Sequence, residues 1–263
     1  MNRIDVKFDE LKEKNEKALI TFITAGDPNR DTTVHLVLAM EKAGADIVEI
    51  GIPYSDPVAD GIVIQESSIR ALKNGIKISN IMDIVKDIRK QSSIPLLYLV
   101  YYNCIFKFGI ERFMEECNAA GIDGLIIPDL PLEERGEIAE LAFRNNVYIV
   151  PMVAPTSEER VKSILHNGRG FVYCVSTNGV TGTRDKIATD LESYMNLVKR
   201  YSKIPRAIGF GVSSSVMAEE FSKYCEGVIV GSAIIKLIAA AKDKKEAVSK
   251  VSGFVRELKR AML

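Results

Sequence analysis

A chain of 263 residues, 47% hydrophobic and 27% charged, has the composition of a globular protein able to bury a large core. Its 35 basic and 35 acidic residues cancel, and neither half carries a basic stripe or an acidic tail, which speaks against nucleic acid or an anionic membrane surface as partner. Cys104, Cys117, Cys174 and Cys225 are scattered without the short spacings of a disulfide framework or a zinc site. No window approaches the roughly 18 apolar residues of a membrane span, and the first residues lack the apolar core of a signal peptide. The expected location is the cytoplasm.

Short apolar runs of strand character recur in chain order at Ala18–Ala25, Asp46–Ile52, Pro95–Tyr102, Gly124–Asp129, Tyr148–Val153, Phe171–Ser176, Pro205–Val212 and Gly227–Ser232. Most are apolar on both faces, as parallel strands covered on both sides must be. Amphipathic segments lie between them. Ser157-Glu-Glu-Arg opens one helix with a serine cap, and a helix from about Phe113 to Ala120 stops at Gly121. The second run is followed by two helices, around Ile64–Lys73 and Ile78–Arg89. The expected fold is α/β: a (β/α)8 TIM barrel in one domain, 1–263, with extra helices at the N-terminus, after strand two and after strand eight. A doubly wound open sheet is the alternative architecture.

The residue inventory narrows the chemistry. A Schiff-base lysine should emerge from a strand into the barrel mouth, and none of the eight runs contains a lysine. Only His35 and His166 are present, both in helical patterns, so no metal site is expected. Carboxylates remain. In Asp46-Ile-Val-Glu-Ile-Gly-Ile52 alternation puts Val48 and Ile50 on one face and Ile47, Glu49 and Gly51 on the other. If the first pair faces the helices, Glu49 points into the barrel, as the one carboxylate in the middle of any strand. A buried unpaired charge costs several kcal/mol, so such a group is either a general acid–base with a raised pKa or a carboxyl bonded to an interior hydroxyl such as Tyr173. The stiff loop Pro53-Tyr-Ser-Asp-Pro-Val-Ala-Asp-Gly61 follows directly. Asp56 and Asp60 there read as turn residues or, beside Glu49, as catalytic groups.

Three glycine turns lie late in the chain: Gly179-Val-Thr-Gly182, Gly209-Phe-Gly211 and Gly231-Ser232. Barrels commonly bind phosphate with the loops after strands seven and eight and the N-terminus of a short helix, and Ser232-Ala-Ile-Ile-Lys-Leu-Ile reads as that helix. Tight packing is the other reading of each pair.

At these residues the sequence resembles the tryptophan synthase α chain family. The matching segments are Val48–Gly61, Gly121-Ile-Asp-Gly-Leu-Ile-Ile-Pro-Asp-Leu-Pro131, Gly179–Gly182, Gly209–Gly211 and Gly231-Ser-Ala-Ile234, so the resemblance spans about Ala18 to Ile235. It implies a lyase that cleaves indole-3-glycerol phosphate, by a retro-aldol reaction, to indole and glyceraldehyde 3-phosphate. The acid–base glutamate would be Glu49 and the aspartate holding the indole N–H would be Asp60. Tyr173 and Thr181 would lie near the substrate, Phe22 and Phe210 would line the indole pocket, and Gly182, Gly211, Gly231 and Ser232 would contact phosphate. The resemblance implies no cofactor in this chain. It implies a β chain partner carrying pyridoxal phosphate and receiving indole through a tunnel in an αββα assembly. A stand-alone lyase releasing free indole, or a non-catalytic barrel that activates a β chain, are the alternatives. Ile62 and Cys104, where the family favours proline, and Thr177-Asn178 before Gly179 depart from its pattern.

Overall fold

The computed structural model describes residues 1–175, 184–209 and 211–263, and for 184–190 the backbone alone. The elements run α1 (Arg3–Glu13), β1 (Ala18–Thr24), α2 (Arg30–Ala43), β2 (Ile47–Gly51), α3 (Ile62–Lys73), α4 (Ile78–Arg89), β3 (Leu96–Leu99), α5 (Tyr102–Phe108), α6 (Ile110–Ala120) and β4 (Gly124–Ile126). After a 3-10 turn at Leu132–Glu134 come α7 (Gly136–Arg144), β5 (Tyr148–Ile149), β6 (Met152–Val153), α8 (Glu158–Leu165), β7 (Val172–Cys174), α9 (Arg184–Tyr201), β8 (Arg206–Ile208), α10 (Ser215–Ser222), β9 (Gly227–Val230), α11 (Ser232–Ala239) and α12 (Lys244–Ala261). The extra helices expected at the N-terminus, after strand two and after strand eight are α1, the α3–α4 pair and α11.

All pairings are parallel, in the order β5-β4-β3-β2-β1-β9-β8-β7-β6. The outermost members, β5 and β6, are successive stretches of one extended segment, so the sheet returns on itself and forms the TIM barrel. The sequence reads that segment, Tyr148–Val153, as one strand. It splits at Val150-Pro151 because proline has no N–H for the ladder. The Val150 N–H donates to the Leu125 carbonyl on one side, while the Pro151 carbonyl accepts from the Tyr173 N–H on the other. Strand three is also shorter than its apolar run. Tyr102 opens α5 instead, with its N–H bonded at 2.9 Å to an Asp129 carboxylate oxygen.

Local signals fix the helix ends. Ser157 accepts from the Arg160 N–H at the start of α8, and Asn29 and Asp243 cap α2 and α12 in the same way; such caps stabilise a helix by about 1 kcal/mol each. Gly121 ends α6 at φ +91°, a left-handed conformation that a side chain would resist.

Two apolar clusters result. The larger lies between strands and helices and contains Val48 and Ile50. The smaller fills the barrel, with Ile20, Ile47, Leu97, Ile126, Phe171, Ala207 and Ile229, and is closed at the N-terminal end by Ile4, Phe8 and Leu11 of α1. Alternation along β2 therefore turns Glu49 to the interior.

Candidate active site

Glu49 is fully buried, and among the described residues neither carboxylate oxygen has a hydrogen-bond partner. Register explains its surroundings. Glu49 pairs with Phe22 of β1 on one side and Leu97 of β3 on the other, and paired residues of parallel strands point to the same face. Two apolar side chains thus flank the carboxyl, and the loss of water pushes its pKa up to about 8. No bond to the Tyr173 hydroxyl forms. Tyr173, on β7, nevertheless feels both acids: burial first, then the charges of Glu49 and Asp60, hold its phenol well above the ordinary range. The structure so brings Glu49, Asp60 and Tyr173 to one place at the C-terminal mouth, with Phe22 beside them.

Asp60 ends the loop after β2. Burial raises its carboxyl to about 6, against the opposing effect of a hydrogen bond from the Tyr101 hydroxyl. The same hydroxyl accepts the Ala59 N–H at 3.0 Å. Tyr101 is buried, stacks on Tyr54 with ring centroids 5.0 Å apart, and Tyr54 in turn accepts from Asn103 Nδ2 at 3.0 Å. Tyr101 went unread in the sequence because an aromatic residue in an apolar run looks like core. Asp56 is exposed and bonds the neighbouring Ser55 hydroxyl, as a turn residue would.

The glycine turns divide. A Cβ on Gly209 would lie 2.6 Å from the Tyr173 ring, and one on Gly231 would lie 3.3 Å from Phe22 Cβ, so both make room for aromatic side chains. Gly51 does the same, since its Cβ would stand 2.6 Å from Phe22 Cζ. Gly211 differs: it is exposed, has φ +71°, and a Cβ there would meet nothing within 4 Å. Gly231 precedes α11, which begins at half-buried Ser232 and has no side chain capping its first turn. Thr181, Gly182 and Phe210, together with Thr177, Asn178 and Gly179, lie outside the described residues. Ile62, 74% exposed, occupies the first position of α3, where proline would also fit. Cys104 lies within α5 and is half-buried.

Val58 on the loop, Ile62 at the start of α3 and Phe106 on α5 are exposed apolar side chains. Among the described residues no group of three or more His, Cys, Asp or Glu could hold a metal ion, and no helix is long and apolar enough to cross a membrane.

A closed parallel barrel with a buried acid in one strand and a second raised carboxylate on the next loop defines an enzyme of the (β/α)8 class, with its chemistry at the C-terminal mouth. The family model for the tryptophan synthase alpha chain matches residues 8–263. A tryptophan synthase alpha chain of Clostridium kluyveri is 58% identical over 262 residues, covering 100% of both chains. The structure of tryptophan synthase subunit alpha from Legionella pneumophila matches with a TM-score of 0.93 at 34% identity, covering 100% of this chain and 98% of that one. A chain from the tryptophan synthase α2β2 complex of Pyrococcus furiosus matches at a TM-score of 0.85 and 39% identity, over 92% of this chain and 98% of that one. The chain belongs to the tryptophan synthase alpha chain family, and is a lyase.

Proposed function

We propose that this chain, as one (β/α)8 domain over 1–263, cleaves indole-3-glycerol phosphate at the mouth described above, with Glu49 and Asp60 as catalytic groups. The observation that carries the assignment is Glu49: a carboxyl fully buried, without a hydrogen-bond partner among the described residues, and shifted to about 8 stays protonated at neutral pH. Glu49 gives its proton to indole C3. Positive charge then develops on the indole nitrogen, and ionised Asp60, accepting that N–H, stabilises it. The bond between C3 and the glycerol carbon breaks, its electron pair returning to the ring, while Glu49 takes the proton of the glycerol hydroxyl as the aldehyde forms. Protons balance, and the reaction needs no electron sink. Tyr173, Thr181, Phe22 and Phe210 would shape the pocket around the ring.

The titration directions give a pH prediction. Asp60 must be ionised and Glu49 protonated, so kcat/KM rises as pH climbs through about 6 and falls again above about 8. Rates of indole formation at subsaturating substrate across pH 5–9 check this. A profile flat across that range would contradict the division of roles.

The phosphate would sit against Gly182, Gly211, Gly231 and Ser232, facing the uncapped first turn of α11. Of the three described turn glycines, Gly209, Gly211 and Gly231, it is Gly211 that combines open space with a left-handed backbone. Gly211→Leu should weaken glycerol phosphate binding by about tenfold, since an L side chain resists that conformation and its bulk holds the anion away from the backbone. Calorimetry gives the answer, and unchanged affinity would move the phosphate elsewhere.

The partner follows from the family. The Pyrococcus furiosus complex is an α2β2 assembly described as mutually activating. We assign the exposed apolar side chains Val58 and Ile62, on and beside the loop that carries Asp60, to docking of a β chain, in an αββα assembly in which pyridoxal phosphate belongs to the β chain and indole passes to it. Docking there would hold Asp60 towards the substrate. The proposed location is the cytoplasm.

A further inference from the structure

Asp60 stands in a stretch with little hold on the core. Ser55, Asp56, Val58, Ala59, Gly61 and Ile62 are all exposed, so apolar packing does not set where its carboxylate lies. Tyr101 holds it from one side. On the other side lies α3, which begins two residues later, and its inward face carries polar side chains where a packing helix would normally carry apolar ones.

Three of them each bond a group outside the inward face of the helix. Gln65 Nε2 donates to the Asp60 carbonyl at 2.8 Å. Ser67, fully buried, donates its one hydroxyl proton to the Ile64 carbonyl at 2.7 Å. Its contact of 2.6 Å with Thr24 Oγ1 must therefore run from the threonine hydroxyl to the serine oxygen. Thr24 is the last residue of β1, two beyond Phe22. One turn further along α3, Arg70 bonds Asp27 through both arms of its guanidinium, Nε at 2.9 Å and Nη2 at 2.8 Å. Asp27 is 2% exposed, on the loop that leaves β1. A carboxylate so buried is stable only when paired, and a fork of two parallel bonds fixes direction as well as distance.

We infer that α3 is a positioning device for Asp60, with Gln65, Ser67 and Arg70 as positioning residues that tie the loop carrying Asp60 to the end of β1. Two bolts, Thr24–Ser67 and Asp27–Arg70, lock the helix to the strand beside Glu49, and Gln65 transmits that fixed position to the Asp60 main chain. The arrangement references both carboxylates to the same edge of the sheet, because β1 is also the strand whose Phe22 packs beside Glu49. The inference rests on the proposed role of Asp60, and the test keeps the two apart.

Gln65→Met and Ser67→Ala are compared with Asp60→Asn in the full chain, measuring kcat, KM, glycerol phosphate affinity and the thermal midpoint. A misplaced group costs up to about 10²-fold in rate. The expected result is a fall in kcat of about tenfold or more in Gln65→Met, with glycerol phosphate affinity unchanged and a thermal midpoint near that of the parent. A purely structural residue would lower the midpoint and leave kcat per folded molecule intact. Should Ser67→Ala not fold, Gln65→Met decides alone, since its half-buried side chain can be replaced without opening the core. Parental kcat in Gln65→Met beside an inactive Asp60→Asn overturns the positioning role and leaves the Asp60 assignment standing. An active Asp60→Asn overturns both.

Discussion

Glu49→Gln is expected to lower kcat for indole formation by at least 10²–10⁴-fold while substrate still binds. The amide keeps the shape of the side chain between Phe22 and Leu97 but can neither give a proton to indole C3 nor take one from the glycerol hydroxyl. Stability should move the opposite way. The folded chain keeps a proton on Glu49 up to about pH 8, whereas the unfolded chain releases it near the ordinary value of 4.5. Between those values the folded state binds more protons, so the native protein loses stability as pH rises across the window. Glutamine is neutral throughout. The variant should therefore match the parent near pH 4 and exceed it at pH 8 by a few kcal/mol, on the order of the shift multiplied by about 1.4 kcal/mol per unit. Urea melts at the two pH values, with rates at neutral pH, separate lost chemistry from lost folding. A variant retaining more than about a tenth of parental activity would end the proposed mechanism.

Asp60→Asn is the second large effect, expected to cost about 10²–10³-fold in kcat. Asparagine still accepts from the Tyr101 hydroxyl and leaves the Ala59–Tyr101 bond in place. What it lacks is the negative charge that, in the proposed mechanism, stabilises the developing indole cation. The acid limb of the pH profile, near 6, should vanish with the ionising group. Kinetics across pH and calorimetry with glycerol phosphate check this; a preserved limb would assign it to another residue.

The alternation of Asp46–Ile52 made Glu49 legible without coordinates, because a period of two leaves a mid-strand residue only two faces and the apolar pair claims the helix side. Chain closure was legible in the same way, from eight runs of comparable length. The break at Pro151 is hidden inside one continuous apolar run, although the missing N–H that causes it is plain in the sequence. Contacts between distant segments were beyond reach. The Tyr101 hydroxyl meets a loop 42 residues earlier, and Arg70 meets Asp27 across 43 residues, so neither shows any local pattern. The glycines illustrate a subtler limit. Gly209, Gly211 and Gly231 look alike in sequence, yet what surrounds each separates aromatic packing at the first and last from open space at Gly211.

The most direct measurement is indole release from indole-3-glycerol phosphate by the purified chain, alone and with a tryptophan synthase β chain. Cleavage that depends on Glu49 is expected, slow in the isolated chain and accelerated about tenfold or more when the β chain docks. No indole from the parent chain under either condition would contradict it.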